Sequence, residues 1–171
     1  MSLQLSESLQ KTVDALTENF SDKVIEVYQS TGDTFIRVEA DAIVEISTYL
    51  RDKLHYVYLS DIFGIDRYTS EERFEVVYNL LSLKTGTRVF VKVRCEEEGP
   101  VVDSVTSVWP AAGWNEREVY DMFGVFFNNH PDLRRIYMPE DFQYFPLRKE
   151  FPLLGIPGSI ELPSTTPDND Q

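Results

Sequence analysis

Apolar residues Leu5, Leu9, Val13, Leu16 and Phe20 recur at steps of three and four. That period puts them on one side of a coil and predicts an amphipathic helix over 6–20. The pattern then alternates or runs apolar over 24–29 and 34–40, around Ser30-Thr31-Gly32-Asp33. A hairpin with a tight turn is expected there. Asp41 is placed to cap a second helix over 42–53, with Ile43, Ile46, Tyr49 and Leu50 on its buried side. Three strands are predicted next, at 55–66, 73–83 and 88–95. The third alternates cleanly, Val89, Val91, Val93 and Cys95 on one face and Arg88, Phe90, Lys92 and Arg94 on the other. Thr85-Gly86 marks the turn before it. A further strand is read at 101–108, beyond the acidic loop Glu96-Glu97-Glu98-Gly99-Pro100.

The order helix, hairpin, helix, meander argues for an α+β fold, with helices packed on a largely antiparallel sheet. An extended C-terminal arm rich in proline and aromatics follows. Seven of the nine prolines lie in the last 41 residues, and nine of the twenty Phe and Tyr fall between Tyr120 and Phe151. Proline at such intervals forbids a long helix or a central strand. Large rings are costly to leave in water, about 1.5–3 kcal/mol each, so the arm should lie against its own domain or another protein. The chain therefore divides into an α+β domain at 1–124, a partner-docking arm at 125–155 and a flexible tail at 156–171.

Composition narrows the chemistry. A chain of 171 residues with 42% hydrophobic residues can bury a core without disulfides or metal. Its net charge of −13 repels nucleic acid and anionic lipid, so neither is an expected partner. Cys95 is the only cysteine, which excludes an intrachain disulfide and falls short of the roughly four thiolates an iron–sulfur cluster takes. His55 and His130 stand far apart without companion ligands, and the eight glycines form neither a dinucleotide loop nor a P-loop. The first residues lack the basic start and apolar run of a secretory signal. No stretch approaches the roughly 20 apolar residues of a membrane span. Membrane association is expected only through a protein partner.

The clearest local signal is a short helix read at 116–123. Asn115 is placed to cap it, and Glu118 to complete a capping box. Trp114 and Val119 fit the two positions of a hydrophobic staple, and Gly124 supplies the stop. The run from Glu116 to Gly124 reads Glu-Arg-Glu-Val-Tyr-Asp-Met-Phe-Gly. Then come His130, Pro131-Asp132-Leu133-Arg134-Arg135-Ile136, Met138-Pro139-Glu140-Asp141-Phe142 and Pro146-Leu147-Arg148-Lys149-Glu150-Phe151-Pro152.

That run, with Trp109-Pro110 and Trp114 upstream, resembles the characteristic segment of the hydrophilic C subunit (30 kDa type) of respiratory complex I, NADH:quinone oxidoreductase. Two positions depart from the family. Tyr144 stands where a glycine is frequent, which questions a glycine-type turn there, and Glu150-Phe151 replace Asp-Tyr. The resemblance implies an α+β scaffold protein in the hydrophilic arm, beside the D subunit that helps form the quinone site. It implies no cofactor in this chain, with FMN, iron–sulfur clusters and quinone held by partner subunits. It also implies a peripheral place on the cytoplasmic face of the bacterial inner membrane. Arg134, Arg135, Pro146, Leu147, Arg148, Lys149 and Phe151 are the expected partner interface. Related subunits of a membrane-bound hydrogenase or a photosynthetic dehydrogenase complex are the alternative within the same class.

Other readings of these residues stay open at this point. Glu116, Glu118, Asp121 and His130 contain the materials of an acid–base site, and a small free-standing enzyme using His130 is the alternative of another class. The plainer expectation is that Glu116 and Glu118 serve the helix N-terminus and that Asp121 pairs with Arg117. Arg134, Arg135, Arg148 and Lys149 suit pairing with a partner's carboxylates or with Glu140, Asp141 and Glu150 nearby. Phosphate ranks last for them, because those carboxylates compete. The aromatics of 137–151 are read as packing groups before quinone contacts.

Overall fold

The computed structural model describes residues 5–69 and 71–155; the flexible tail expected at 156–171 lies outside them. Helix α1 spans Glu7–Asn19, and the Ser6 hydroxyl caps it by accepting the Leu9 amide (3.4 Å). Thr12, Val13 and Leu16 form its buried face. Strands β1 (Val24–Ser30) and β2 (Asp33–Val38) make the expected hairpin. A short 3-10 turn, Ala40–Ala42, leads into α2 (Ile43–Asp52). The cap expected from Asp41 is not made. Ala42 holds the cap position without a side-chain bond, and the Asp41 carboxylate instead takes the Lys23 ammonium (2.8 Å). On α2, Ile43, Ile46, Ser47 and Leu50 are buried, while Tyr49 lies half-buried with its ring edge-on to Phe20.

The meander follows as β3 (Tyr58–Asp66), β4 (Phe74–Ser82) and β5 (Thr87–Cys95). Their sheet runs β1-β2-β5-β4-β3, antiparallel except for the parallel pairing of β2 with β5. Register sets the two faces. Val76 stands opposite Val93, Tyr78 opposite Val91 and Leu80 opposite Val89, all fully buried. These join Leu16, Ile46 and Val119 in one core, so each of the three α-helices among the described residues contributes to it. The other face pairs Glu75 with Arg94 and Val77 with Lys92. There the rings of Tyr28, Phe35 and Phe90 stack at about 5 Å, with the Lys92 ammonium 4.7 Å from Phe35.

The strand expected at 101–108 is shorter. Only Val101–Asp103 pairs, as β6, running parallel to β7 (Phe126–Asn128). Beyond it the chain bends inward, because the Glu116 carboxylate takes the Ser104 hydroxyl and the Val105 amide (2.6 and 2.8 Å). Helix α3 (Ala112–Phe123) supplies that carboxylate and packs on β3. The fit is close at Gly64, where a Cβ would stand 2.5 Å from the Phe123 ring.

Candidate functional site

Helix α3 starts earlier than its capping signals suggest. Ala111 holds the cap position with no side-chain bond, so the expected cap at Asn115 and the capping box with Glu118 are not formed. Alanine and glycine over 111–113 carry no side chain that marks a helix start. Asn115 lies inside the helix, and its amide donates to Asp61 on β3 (2.7 Å). Glu118 accepts the Tyr137 hydroxyl (3.4 Å). The expected staple is also absent: Val119 is buried, but Trp114 is 65% exposed and lies over the Arg117 guanidinium, 4.9 Å away. Gly124 does end the helix, at φ +75°, with its N–H donating to Tyr120 O (2.8 Å).

The pairing expected between Arg117 and Asp121 is replaced by two longer-range arrangements. Arg117 donates to the main-chain oxygens of Arg134 and Arg135 (2.9 and 3.0 Å). Asp121, fully buried, takes the Arg135 guanidinium on one oxygen (2.6 Å). On the other it takes the consecutive amides of Ile136, Tyr137 and Met138 (3.0, 2.7 and 2.9 Å). Successive amides turned to one point form an anion-binding nest, and here the anion is the protein's own. Burial pushes the Asp121 carboxyl up, but the amides and Arg135 outweigh it and hold it below the usual range.

Further along, the chain after α3 is fastened twice more. Leu147 N–H donates to Met122 O (3.1 Å) and Arg148 Nε to Phe123 O (2.6 Å). The Arg148 guanidinium also lies between the rings of Phe74 and Phe145, 4.8 and 4.5 Å away. This crossing needs Gly124, since a Cβ there would meet Arg148 and Phe145 at 2.6 Å. Lys149 N–H then reaches Asp66 (2.8 Å), and the Glu150 carboxylate contacts Arg73. Asp66 is already clamped by Arg73 through two bonds (2.9 and 2.8 Å), which hold its carboxyl at about 2. Arg73 is buried and takes Glu97 as well.

Of the remaining predicted residues, Arg134 is exposed and paired with exposed Asp132 (2.7 Å). Pro131 is exposed and Pro146 half-buried. Phe151 gathers with Phe142 and Tyr144, ring centroids 5.8–6.3 Å apart. Tyr144 has no left-handed backbone, so no glycine-type turn is required of it.

Glu116 does not serve the helix N-terminus. It is 0% exposed, and burial pushes its carboxyl up to about 7 against the lowering by Ser104 and Val105. His130 lies nearby, its Nε2 3.9 Å from a Glu116 oxygen. Nδ1 accepts the Asp132 amide (3.0 Å), so the neutral ring carries its proton on Nε2 and donates to Gly113 O (3.0 Å). With both nitrogens engaged and the side chain 2% exposed, His130 works here as a tie between α3 and the turn that follows β7. Among the described residues no group of three His, Cys, Asp or Glu is arranged to hold a metal, and no helix is long and apolar enough to cross a membrane. Cys95 is buried, its thiol pushed up to about 12 chiefly by burial.

The elements that fasten this segment, α3 and the run from Arg134 to Glu150, lie within a stretch that known proteins share. Residues 36–156 match the profile of the family described as respiratory-chain NADH dehydrogenase, 30 Kd subunit, well over half of the chain. The chain belongs to this family. The C subunit of NADH-quinone oxidoreductase from Geobacter metallireducens is 46% identical over 146 residues, covering 85% of this chain and 90% of that protein. The C 2 subunit of the same enzyme from Rhizobium etli is 42% identical over 161 residues, 90% and 86% of the two chains. Among solved structures, the trypsin-resistant fragment (1–134) of Nqo5 superposes with a TM-score of 0.65 at 32% identity, over 74% of this chain and 99% of that one. A chain of the membrane-bound sulfane sulfur reductase, an archaeal respiratory membrane complex, gives 0.73 at 25%, over 86% and 88%. Membership makes the chain a complex I subunit whose partners are other subunits of that complex, and the α+β fold agrees with the Nqo5 fragment.

Proposed function

We propose that the chain is a cofactor-free scaffold subunit in the hydrophilic arm of a proton-translocating NADH:quinone oxidoreductase. It docks on the neighbouring D subunit through α3 and the 125–155 arm and holds the quinone module together. FMN, the iron–sulfur clusters and quinone belong to partner subunits, and electrons pass through those. Its place is the cytoplasmic face of the bacterial inner membrane, reached through partners and not by insertion.

One observation carries this reading. The arm turns several backbone amides and the guanidinium groups of Arg135 and Arg148 inward, on Asp121, Phe123 and Asp66, and leaves Tyr137, Tyr144, Leu147, Leu153 and Leu154 exposed. An ordered segment that presents apolar side chains to water is the arrangement a protein interface completes. The test is the set of proteins that copurify with tagged chain from gently solubilised membranes. The D subunit and other hydrophilic-arm subunits are expected, and Arg148→Ala or Pro146→Ala should lower the amount of complex while activity per assembled complex stays. Normal assembly with slowed electron transfer, or a chain recovered alone, would overturn the reading.

A second reading rests on the likeness to the sulfane sulfur reductase: the same scaffold role in a related membrane-bound complex. The identity of the copurifying partners separates the two.

A further inference from the structure

The chain has two tryptophans, and they are treated in opposite ways. Trp109 is 4% exposed, whereas Trp114 is 65% exposed on the outer side of α3. An indole in water forgoes one of the largest burial energies any side chain offers. Yet Trp114 is not loosely held. Arg117, one turn along the helix, lies against its ring at 4.9 Å, and that guanidinium is fixed by the carbonyls of Arg134 and Arg135. Asn115, the next residue, is tied to Asp61. Glu118, on the same face as Trp114, accepts from Tyr137, whose own ring is 60% exposed. An aromatic side chain that is exposed but already ordered gives up little freedom on binding, which is how interface hot spots gain their energy.

Charge is distributed to match. Residues 112–155 carry five basic and seven acidic side chains, and the rest of the chain eleven basic and twenty-two acidic. Two of those seven acids, Glu116 and Asp121, are buried. Arg135, paired with Asp121, is nearly buried as well, so burial removes charge of both signs. The segment stands at −2 against −11 for the rest of the chain, and this weaker charge lowers the cost of desolvating it in a protein contact.

We infer that Trp114 is the anchor of the docking face: its indole enters an apolar cleft on the neighbouring hydrophilic-arm protein, where an oxygen acceptor takes the ring N–H. The inference rests on the scaffold reading above and names the residue that carries the contact. Arg117 is the platform that positions the ring, and Tyr137 closes the cleft's rim one helical turn away.

Hydroxyl-radical footprinting tests this, with oxidation of each tryptophan read by mass spectrometry in the free chain and in the complex purified from membranes. Trp109 is the internal control and stays low in both. Trp114 oxidises readily in the free chain, and its oxidation falls about tenfold on assembly. Trp114→Ala, whose circular dichroism matches the parent because the side chain stands largely in water, lowers recovered complex about tenfold. Trp114→Phe regains part of the loss, and Leu83→Ala, an equally exposed apolar residue on the β4–β5 turn, has no effect. Equal oxidation of Trp114 in free chain and complex overturns the inference, as does full assembly of Trp114→Ala. So does protection that appears on concentrating the chain alone, which would make the occupant a second copy. If Arg148→Ala blocks assembly while Trp114 stays oxidisable in the wild-type complex, the docking face stands and the anchor falls. If nothing copurifies with the wild-type chain, the scaffold reading itself fails.

Discussion

The sheet body and the segment after α3 hold their shapes by different means. In the body, Val76, Tyr78, Leu80, Val89 and Val91 interlock across neighbouring strands, and many small burial energies add. In the segment from 134 to 150, regular hydrogen-bond ladders are missing, and a few side chains hold the backbone directly: Asp121, Arg117, Arg148 and Asp66. The first kind of construction degrades gradually under substitution. The second depends on single residues, so the arm can be released while the body stays folded.

Asp121→Ala is the sharpest way to break that contrast. It strands three amides and takes the counter-charge from the Arg135 guanidinium, which keeps only the carbonyls of Asp121 and Tyr144 (3.3 and 3.2 Å), a loss of about 3–5 kcal/mol by analogy with other broken buried pairs. Hydrogen exchange at 134–148 should rise strongly while the amides of β4 and β5 stay protected; equal deprotection of both would mean that body and arm unfold as one. Leu80→Ala tests the other side. A cavity beneath β4 should cost about 2–4 kcal/mol, seen as a lower urea midpoint for the whole chain, with no selective exposure of the arm below the transition.

Glu116 gives a smaller effect with a definite sign. Its carboxyl is raised to about 7 from an ordinary value of 4.5, so in that window the folded chain binds more protons than the unfolded one. The stability it contributes is full below about 4.5 and is lost as pH rises through 7, by about 1–3 kcal/mol. Glu116→Gln should flatten this slope in melts run at pH 5 and pH 8, and an unchanged slope would acquit Glu116. Smallest of all is Arg134→Ala. Its pair with Asp132 is exposed on both sides, so stability should move by less than about 0.5 kcal/mol in the same urea titration. A larger loss would show that the arm is coupled through its outer charges too.

What the sequence revealed follows the same division. Helix α1, the β1–β2 hairpin and the alternation of β5 are written in neighbouring residues, so periodicity exposes them. Capping signals misled at Asn115 and Asp41 because those side chains found partners elsewhere, on Asp61 and Lys23. The roles of Glu116 and Asp121 were hidden for a related reason. Ser104 precedes Glu116 by twelve residues and Arg135 follows Asp121 by fourteen, while local spacing pointed to the helix terminus and to Arg117. The family motif located the segment well, since it is a long run of identities. It did not say which of its polar groups face inward.

The parallel contact between β2 and β5 sets an order of events as the chain is made. Phe35 meets Phe90 across that pairing, so the amino-terminal hairpin cannot take its seat until the ribosome has released residues 87–95. Until then one edge of β2 waits without its neighbour, with the backbone groups of Phe35, Ile36 and Arg37 unpaired on that side. A stall in translation before that point would leave a hairpin prone to pair with the wrong strand, a hazard that ends as soon as β5 emerges.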